Sequence, residues 1–179
     1  MNYKLIMTEG PNELVFINVL LKKNLLIFKK EDLLMEQAFH KRQIDGELIG
    51  YIQGLPNGDT VDIYRVGDKL SDKLKIPRSI LSGKIEKEIK ICTLPEFEIL
   101  FILNEKLFDE YKKVKSKKSP SEFYKEKNNE YKKQSTFVKR YFEEMQNSEI
   151  VNLILLYVKK HGKSHDKDQL TLEELLKVK

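Results

Sequence analysis

The sequence contains little cysteine and no long apolar run, and both absences limit what the protein can be. One cysteine in 179 residues rules out an internal disulfide framework. Cys92 follows isoleucines in an apolar stretch, which indicates a buried, inert thiol. The sequence has no run of about 18 apolar residues and no charged-then-apolar leader. We therefore expect a cytoplasmic protein without a membrane segment.

Several familiar catalytic signatures are also missing. The chain has no glycine-rich phosphate loop, and no Ser-His-Asp or Cys-His order can be recognised. Its histidines do not have the spacing of a metal set with carboxylates: His40, His161 and His165. Glu96 and Glu98 are followed by apolar residues, not by the lysine that a PD-(D/E)xK nuclease requires. Chemistry, if present, has to come from carboxylates.

The charge of the chain is unevenly distributed. The net charge is +5, yet residues 112–140 hold eleven Lys or Arg against three Glu, a local balance of +8. The remainder is therefore net acidic. An acidic body beside a basic segment favours a protein that holds a phosphate backbone and places metal against it. A solvated, lysine-rich helical face is the alternative explanation.

Acidic residues follow two predicted strands. Glu9 comes after an apolar strand at 3–7 and before a helix at 11–22, and Asp68 comes after a β-rich strand at 61–66. If these strands are parallel neighbours, Glu9 and Asp68 converge at one edge of the sheet, and Asp72 can reach the same space. Carboxylate oxygens suit Mg²⁺ or Mn²⁺. Taken alone, Glu9 is also compatible with a solvated loop residue.

An acidic pair, Glu96 and Glu98, follows a third predicted strand at 88–92. Pro95 permits a helix from 95 to about 106, which places Glu96 in its first turn and Glu98 two residues later. Residues two apart on a helix do not face each other, so we expect only one of the two glutamates to reach a shared site. Either Glu13, in the first turn of the helix at 11–22, or Glu96 would then complete the metal position.

These motifs together resemble the Toprim-related proteins of the RloB-like and abortive-infection type, a phage-defence family similar to the overcoming-lysogenization-defect nucleases. The resemblance covers about residues 1–125 and rests on strand-Glu9-Gly10-helix, on Val66-Gly67-Asp68 and on 94–100. It implies a small α/β domain in which Glu9 is the family's glutamate. The family's Asp-x-Asp is matched only by Asp68, and Asp72 would have to substitute for the second aspartate.

The other predicted elements suggest an α/β fold with a mixed, mostly parallel sheet flanked by helices. We predict strands at 25–28 and 48–53, and helices at 31–42, 135–146 and 148–160. The brief turn at 55–59 favours an antiparallel pair between the strands on either side of it. The predicted organisation is a Toprim-like domain at 1–106, a basic C-terminal helical extension at 107–160 and a loose tail at 161–179 with one short helix at most.

The basic segment supplies candidate contacts to nucleic acid. Three lysines lie before a proline and are the candidate phosphate contacts: Lys115, Lys117 and Lys118. Tyr124 and Tyr131 are candidates for base stacking. Arg65 and Lys69 flank Asp68, where they would contact a scissile phosphate or simply neutralise the acids.

Three functions are compatible with this pattern. The first is a nuclease that cleaves DNA or RNA with Mg²⁺ or Mn²⁺, as the resemblance implies, with Glu9, Asp68 and Asp72 as its catalytic residues. The second is a catalytically degenerate subunit that acts by binding a partner such as a defence ATPase. The third is a basic nucleic-acid-binding module on a structural α/β body. A homo-oligomer is compatible with each of them.

Overall fold

The computed structural model of the chain describes residues 1–68, 73–77, 81, 83–93, 95–131, 135–161 and 169–177. Within them lie five strands: β1 (Asn2–Thr8), β2 (Phe39–His40), β3 (Thr60–Gly67), β4 (Ile85–Cys92) and β5 (Gln169–Thr171). Seven α-helices accompany them: α1 (Pro11–Lys22), α2 (Gly46–Gln53), α3 (Ile99–Asn104), α4 (Phe108–Val114), α5 (Pro120–Lys127), α6 (Ser135–Glu144) and α7 (Asn147–His161). None of the described helices combines the length and apolar character needed to cross a bilayer.

The strands form one sheet in the order β2-β1-β3-β4-β5, and every pairing between them is parallel. The predicted α/β class is confirmed. β1 and β3 are parallel neighbours, which is the condition under which we expect Glu9 and Asp68 to converge. The predicted antiparallel pair is wrong, because residues 46–53 form α2 and not a strand. Asp45 caps this helix by accepting a hydrogen bond from Leu48 N at 3.1 Å. The helix then provides the crossover that a parallel connection needs.

Helices cover both faces of the sheet. On one face Ile6, Val66 and Ile91 pack against α1 and against the helices between β4 and β5. On the other face Leu5 and Ile63 pack against α2. Burial on both faces explains the apolar run from Leu5 to Met7 in β1. In β3 the two buried charged residues are paired, Asp62 with Lys4 and Arg65 with Glu88.

Three segments differ from their predicted structure. Residues 31–42 form two 3-10 turns, Lys30–Asp32 and Leu34–Glu36, followed by β2, where we expected a helix. Residues 169–177, predicted as part of a loose tail, form β5 and a 3-10 turn at Leu172–Leu175. In place of a strand at 25–28, Leu26 forms an isolated antiparallel bridge with Leu176. These pairings join residues far apart in the sequence, which local periodicity does not reveal.

Candidate active site

A cleft of about 610 Å³ opens at the edge of the sheet where β1 and β3 end. From β1 the chain moves to β2 on one side of the sheet and then returns to β3 on the other side. Ligands of open α/β sheets bind in the crevice at such a switch point, beyond the carboxyl ends of the strands. Five carboxyl groups line this cleft: Glu9, Glu13, Asp68, Glu96 and Glu98. The sequence-based expectation that Glu9 and Asp68 share one edge is confirmed.

Glu9 is held by the pairing of β1 with β3. The register sets Thr8 opposite Val66, and Glu9 N donates to Val66 O at 2.9 Å. The Glu9 side chain is 8% exposed. It lies directly against Gly67, where an added Cβ would come within 2.5 Å of Glu9 Cβ and closer still to Glu9 Oε2. Gly67 is therefore required for the carboxylate to occupy this position.

Glu13 is buried in the first turn of α1 and lines the same cleft. Burial is the largest influence on this carboxyl group and raises its pKa to about 7. A hydrogen bond from its own backbone N–H acts in the opposite direction. The negative charges of Glu98, Asp68 and Glu9 raise the pKa of Glu13 further. Near neutral pH, Glu13 can therefore both accept and release a proton.

Glu96 and Glu98 both line the cleft, which corrects the expectation that only one of them would. The helical spacing rule does not apply, because α3 begins at Ile99 and the two glutamates lie in the turn before it. Ser121 N donates to Glu96 Oε2 at 3.1 Å, and Tyr131 Oη donates to Glu98 Oε1 at 2.5 Å. The chain between β4 and β5 therefore fixes the acidic wall of the cleft, through Ser121 in α5 and through Tyr131 after the end of that helix.

His40 and Arg42 are the basic residues among those that line the cleft. His40 Nε2 lies 3.2 Å from Glu9 O, and Arg42 Nε lies 3.7 Å from Glu9 Oε1. The Arg42 side chain is 65% exposed, so its guanidinium is open to a ligand. The sequence predicts His40 on a helix surface and assigns no role to Arg42, because β2 is only two residues long and has no strand signature of its own.

The two tyrosines proposed for base stacking are buried, so that prediction is wrong. Tyr124 is 0% exposed and Tyr131 is 2% exposed. Tyr124 Oη donates to Glu105, and both rings contact Phe101 within the core. Burial is the main reason why the pKa of each phenol is raised. Their function is to support the helices on the sheet.

Arg65 does not reach the cleft. It is buried, and its Nη1 donates to Glu88 Oε1 at 2.8 Å on the neighbouring strand β4. The structure thus shows Arg65 in a cross-strand ion pair with Glu88, and a contact with a scissile phosphate stays a prediction. Lys69 and Asp72, also proposed from the sequence, lie outside the described residues.

The three candidate lysines lie between α4 and α5. Lys115 and Lys117 are exposed, and Lys118 Nζ lies 2.5 Å from Glu126 Oε2. Their turn leads directly into α5, whose Ser121 N contacts Glu96 in the cleft. The lysines are thus on a segment continuous with one wall of the site, and their contact with nucleic acid stays a prediction.

The donor atoms of the cleft suit a hard divalent cation, since carboxylate and amide oxygens predominate. Within the described residues, however, no group of three or more His, Cys, Asp or Glu side chains is arranged to hold a metal ion. The carboxylates converge on one cleft without forming a closed set of direct ligands. Asp72, the remaining proposed ligand, is not among the residues described.

Comparison with protein-family models, with curated proteins and with solved structures gives no match for this chain. The resemblance to Toprim-related proteins therefore stays a prediction from the motifs. The function has to be inferred from the chemistry of the cleft.

Replacing Glu13 with glutamine should change how stability depends on pH. The folded-state pKa of Glu13, about 7, exceeds its ordinary value of 4.5, so between these values the folded chain holds a proton that the unfolded chain has lost. The free energy of unfolding therefore falls as pH rises through this window. Glu13→Gln removes this loss and should stabilise the protein at pH 8 by up to about 3 kcal/mol. Urea unfolding from pH 4 to 8 measures the effect.

Glu31→Gln, at an exposed position outside the cleft, is the matched control for Glu13→Gln. An unchanged difference in stability between wild type and Glu13→Gln at pH 4 and pH 8 would contradict the assignment of a raised pKa to Glu13.

Alanine substitutions at Gly67 and at Gly10 should destabilise the protein to different extents, because the first creates a contact with a rigid group and the second with a flexible one. At Gly67 the new Cβ meets the Cβ of Glu9, which cannot move without the backbone, so we expect Gly67→Ala to destabilise by about 1–3 kcal/mol. At Gly10 the new Cβ meets only the carboxylate end of Glu13, which can swing away. Thermal and urea unfolding measure the stability of the Gly67→Ala and Gly10→Ala variants relative to wild type. Equal losses for the two variants would show that Glu9 is not held against Gly67.

Proposed function

We propose that the cleft is the active site of a Toprim-like nuclease that cleaves phosphodiester bonds in DNA or RNA with Mg²⁺ or Mn²⁺, as an effector in bacterial anti-phage defence. The observation that carries this proposal is the meeting of Glu9 and Asp68, from the ends of two neighbouring parallel strands, in one cleft with Glu13. The defence role comes from the motif resemblance alone.

The residues of the cleft have complementary tasks in such a reaction. A bound divalent cation would supply Lewis-acid activation of water and would stabilise the leaving oxygen. Glu9 and Asp68 are the residues that would hold it, with Glu96 as a further oxygen donor. Glu13, with a pKa of about 7, is suited to accept a proton from the attacking water.

Substrate phosphate requires positive charge beside this acidic wall. Arg42 has an exposed guanidinium next to Glu9 and can form paired hydrogen bonds with phosphate oxygens. Lys115 and Lys117, on the turn before α5, extend positive charge along the chain that leads to Glu96. Their contribution would be electrostatic and would weaken with rising salt.

A second candidate function is a catalytically silent subunit that binds a partner protein such as a defence ATPase. Two observations favour it. The Asp-x-Asp motif of the Toprim-related proteins is matched here by Asp68 alone. In addition, the described residues form no closed set of metal ligands. This candidate predicts a stable complex with the partner and no cleavage under any divalent cation.

Cleavage assays with the purified chain separate these candidates. Single-stranded DNA, duplex DNA and RNA are each incubated with Mg²⁺, with Mn²⁺ or with EDTA. We expect cation-dependent cleavage, reduced by on the order of 100-fold in Glu9→Gln and Asp68→Asn, since each removes one charged oxygen from the site. Asp109→Asn, on the exposed surface of α4, is the control and should cleave normally.

Two outcomes would contradict the nuclease proposal. One is a wild-type chain that leaves all three substrates intact with either cation. The other is cleavage by Glu9→Gln and Asp68→Asn at the rate of wild type and Asp109→Asn, which would assign the activity to another site.

A further inference from the structure

Asn12 carries an acceptor oxygen that has no hydrogen-bond donor among the residues the structure describes. It is the second residue of α1, it is 5% exposed, and it lines the cleft. Its Oδ1 is shielded from solvent and accepts no hydrogen bond from the part of the chain that the structure describes. A buried acceptor left unsatisfied destabilises the folded state, and folded proteins contain few of them. At the wall of a cleft, such a group indicates a ligand that brings a donor.

The chemistry of the surrounding groups restricts what that ligand can be. Five carboxyl groups and the Asn12 oxygen make the cleft rich in acceptors. A phosphate group alone brings only more acceptor oxygens. A cation stripped of water would need several direct ligands, and the described residues provide no group arranged to hold one. A hydrated cation meets both conditions, because its waters point O–H donors outward in every direction.

The electrostatics of the cleft also favour a cation. The N-terminus of α1 contributes about half a positive charge, which opposes a cation beside Asn12. Five carboxyl groups outweigh that partial charge even with Glu13 partly protonated. Mg²⁺ loses its water reluctantly and usually keeps several water molecules in protein sites.

We propose that the cleft binds Mg²⁺ as a largely hydrated ion, with Asn12 Oδ1 accepting a hydrogen bond from one of its waters. This inference rests on the proposed function, since it specifies how that site takes its cation. Asn12 is a positioning residue, because it acts through the water and not on the metal. Because Oδ1 is shielded in the described conformation, the proposal requires rotation about the Cβ–Cγ bond, a torsion that is broad and roughly two-fold in asparagine.

The probes for this inference are Mg²⁺ and cobalt(III) hexaammine, whose six ammonia ligands donate hydrogen bonds outward and do not exchange with protein oxygens. Isothermal titration and thermal unfolding of the full chain measure binding without reference to cleavage. We expect both ions to bind the wild-type chain and to compete for one site. A requirement for direct coordination would instead exclude the hexaammine complex.

Substitution of Asn12 gives a second, independent readout. Asn12→Leu keeps the size of the side chain and removes the unsatisfied oxygen, so the cation-free protein should unfold at a higher temperature while Mg²⁺ affinity falls about tenfold. Asn12→Asp keeps the oxygen acceptor and should bind Mg²⁺ at least as tightly as wild type. Asn18→Leu, on the exposed side of α1, should change neither property.

The outcomes distinguish this inference from the proposed function. If wild type binds Mg²⁺, the hexaammine complex does not compete and Asn12→Leu binds normally, the inference is wrong and the nuclease proposal stands. If wild type binds no divalent cation, both are wrong. If Asn12→Leu weakens only the binding of RNA relative to DNA, the oxygen serves a ribose hydroxyl and the inference is wrong.

Discussion

The parallel pairing of β1 with β3 is the interaction on which the rest of this structure depends. Its register places Thr8 opposite Val66, so that Glu9 leaves β1 directly over Gly67 and beside the residue that follows, Asp68. A shift of one residue would turn the apolar side chains of β1 to the opposite faces of the sheet. The two-sided hydrophobic core therefore fixes the position of the carboxylates that the proposed chemistry uses.

Grouping buried carboxyl groups in one cleft is unfavourable, and the protein offsets this in identifiable ways. Tyr131 donates to Glu98 and Ser121 N donates to Glu96, which replaces water at two of the five groups. Glu13 responds by a raised pKa, so that part of the negative charge is absent near neutral pH. The helices between β4 and β5 thus belong to the site, and their basic composition is only one part of their role.

Sequence reasoning recovered the elements whose signals are local. The apolar run of β1, Pro11 at the start of α1 and the glycine after β3 were sufficient to predict the Glu9 and Asp68 junctions. The predicted strand at 48–53 is instead part of α2, because a short segment with Leu48, Ile49 and Ile52 fits either a helix or a buried strand, and Asp45 as a helix cap is the signal that distinguishes the two.

Other features of the site were not accessible from local pattern. β5 exists only through pairing with β4, far away in the sequence. Arg42 reaches Glu9 only because β2 lies beside β1. Tyr124 and Tyr131 looked like surface groups among lysines, yet the tertiary packing around Phe101 buries them.

The most direct test of the whole account is diffraction from crystals grown with Mn²⁺, using its anomalous signal. The account predicts a manganese peak within the cleft between Glu9 and Asp68; an empty cleft with manganese bound only elsewhere on the surface would contradict it.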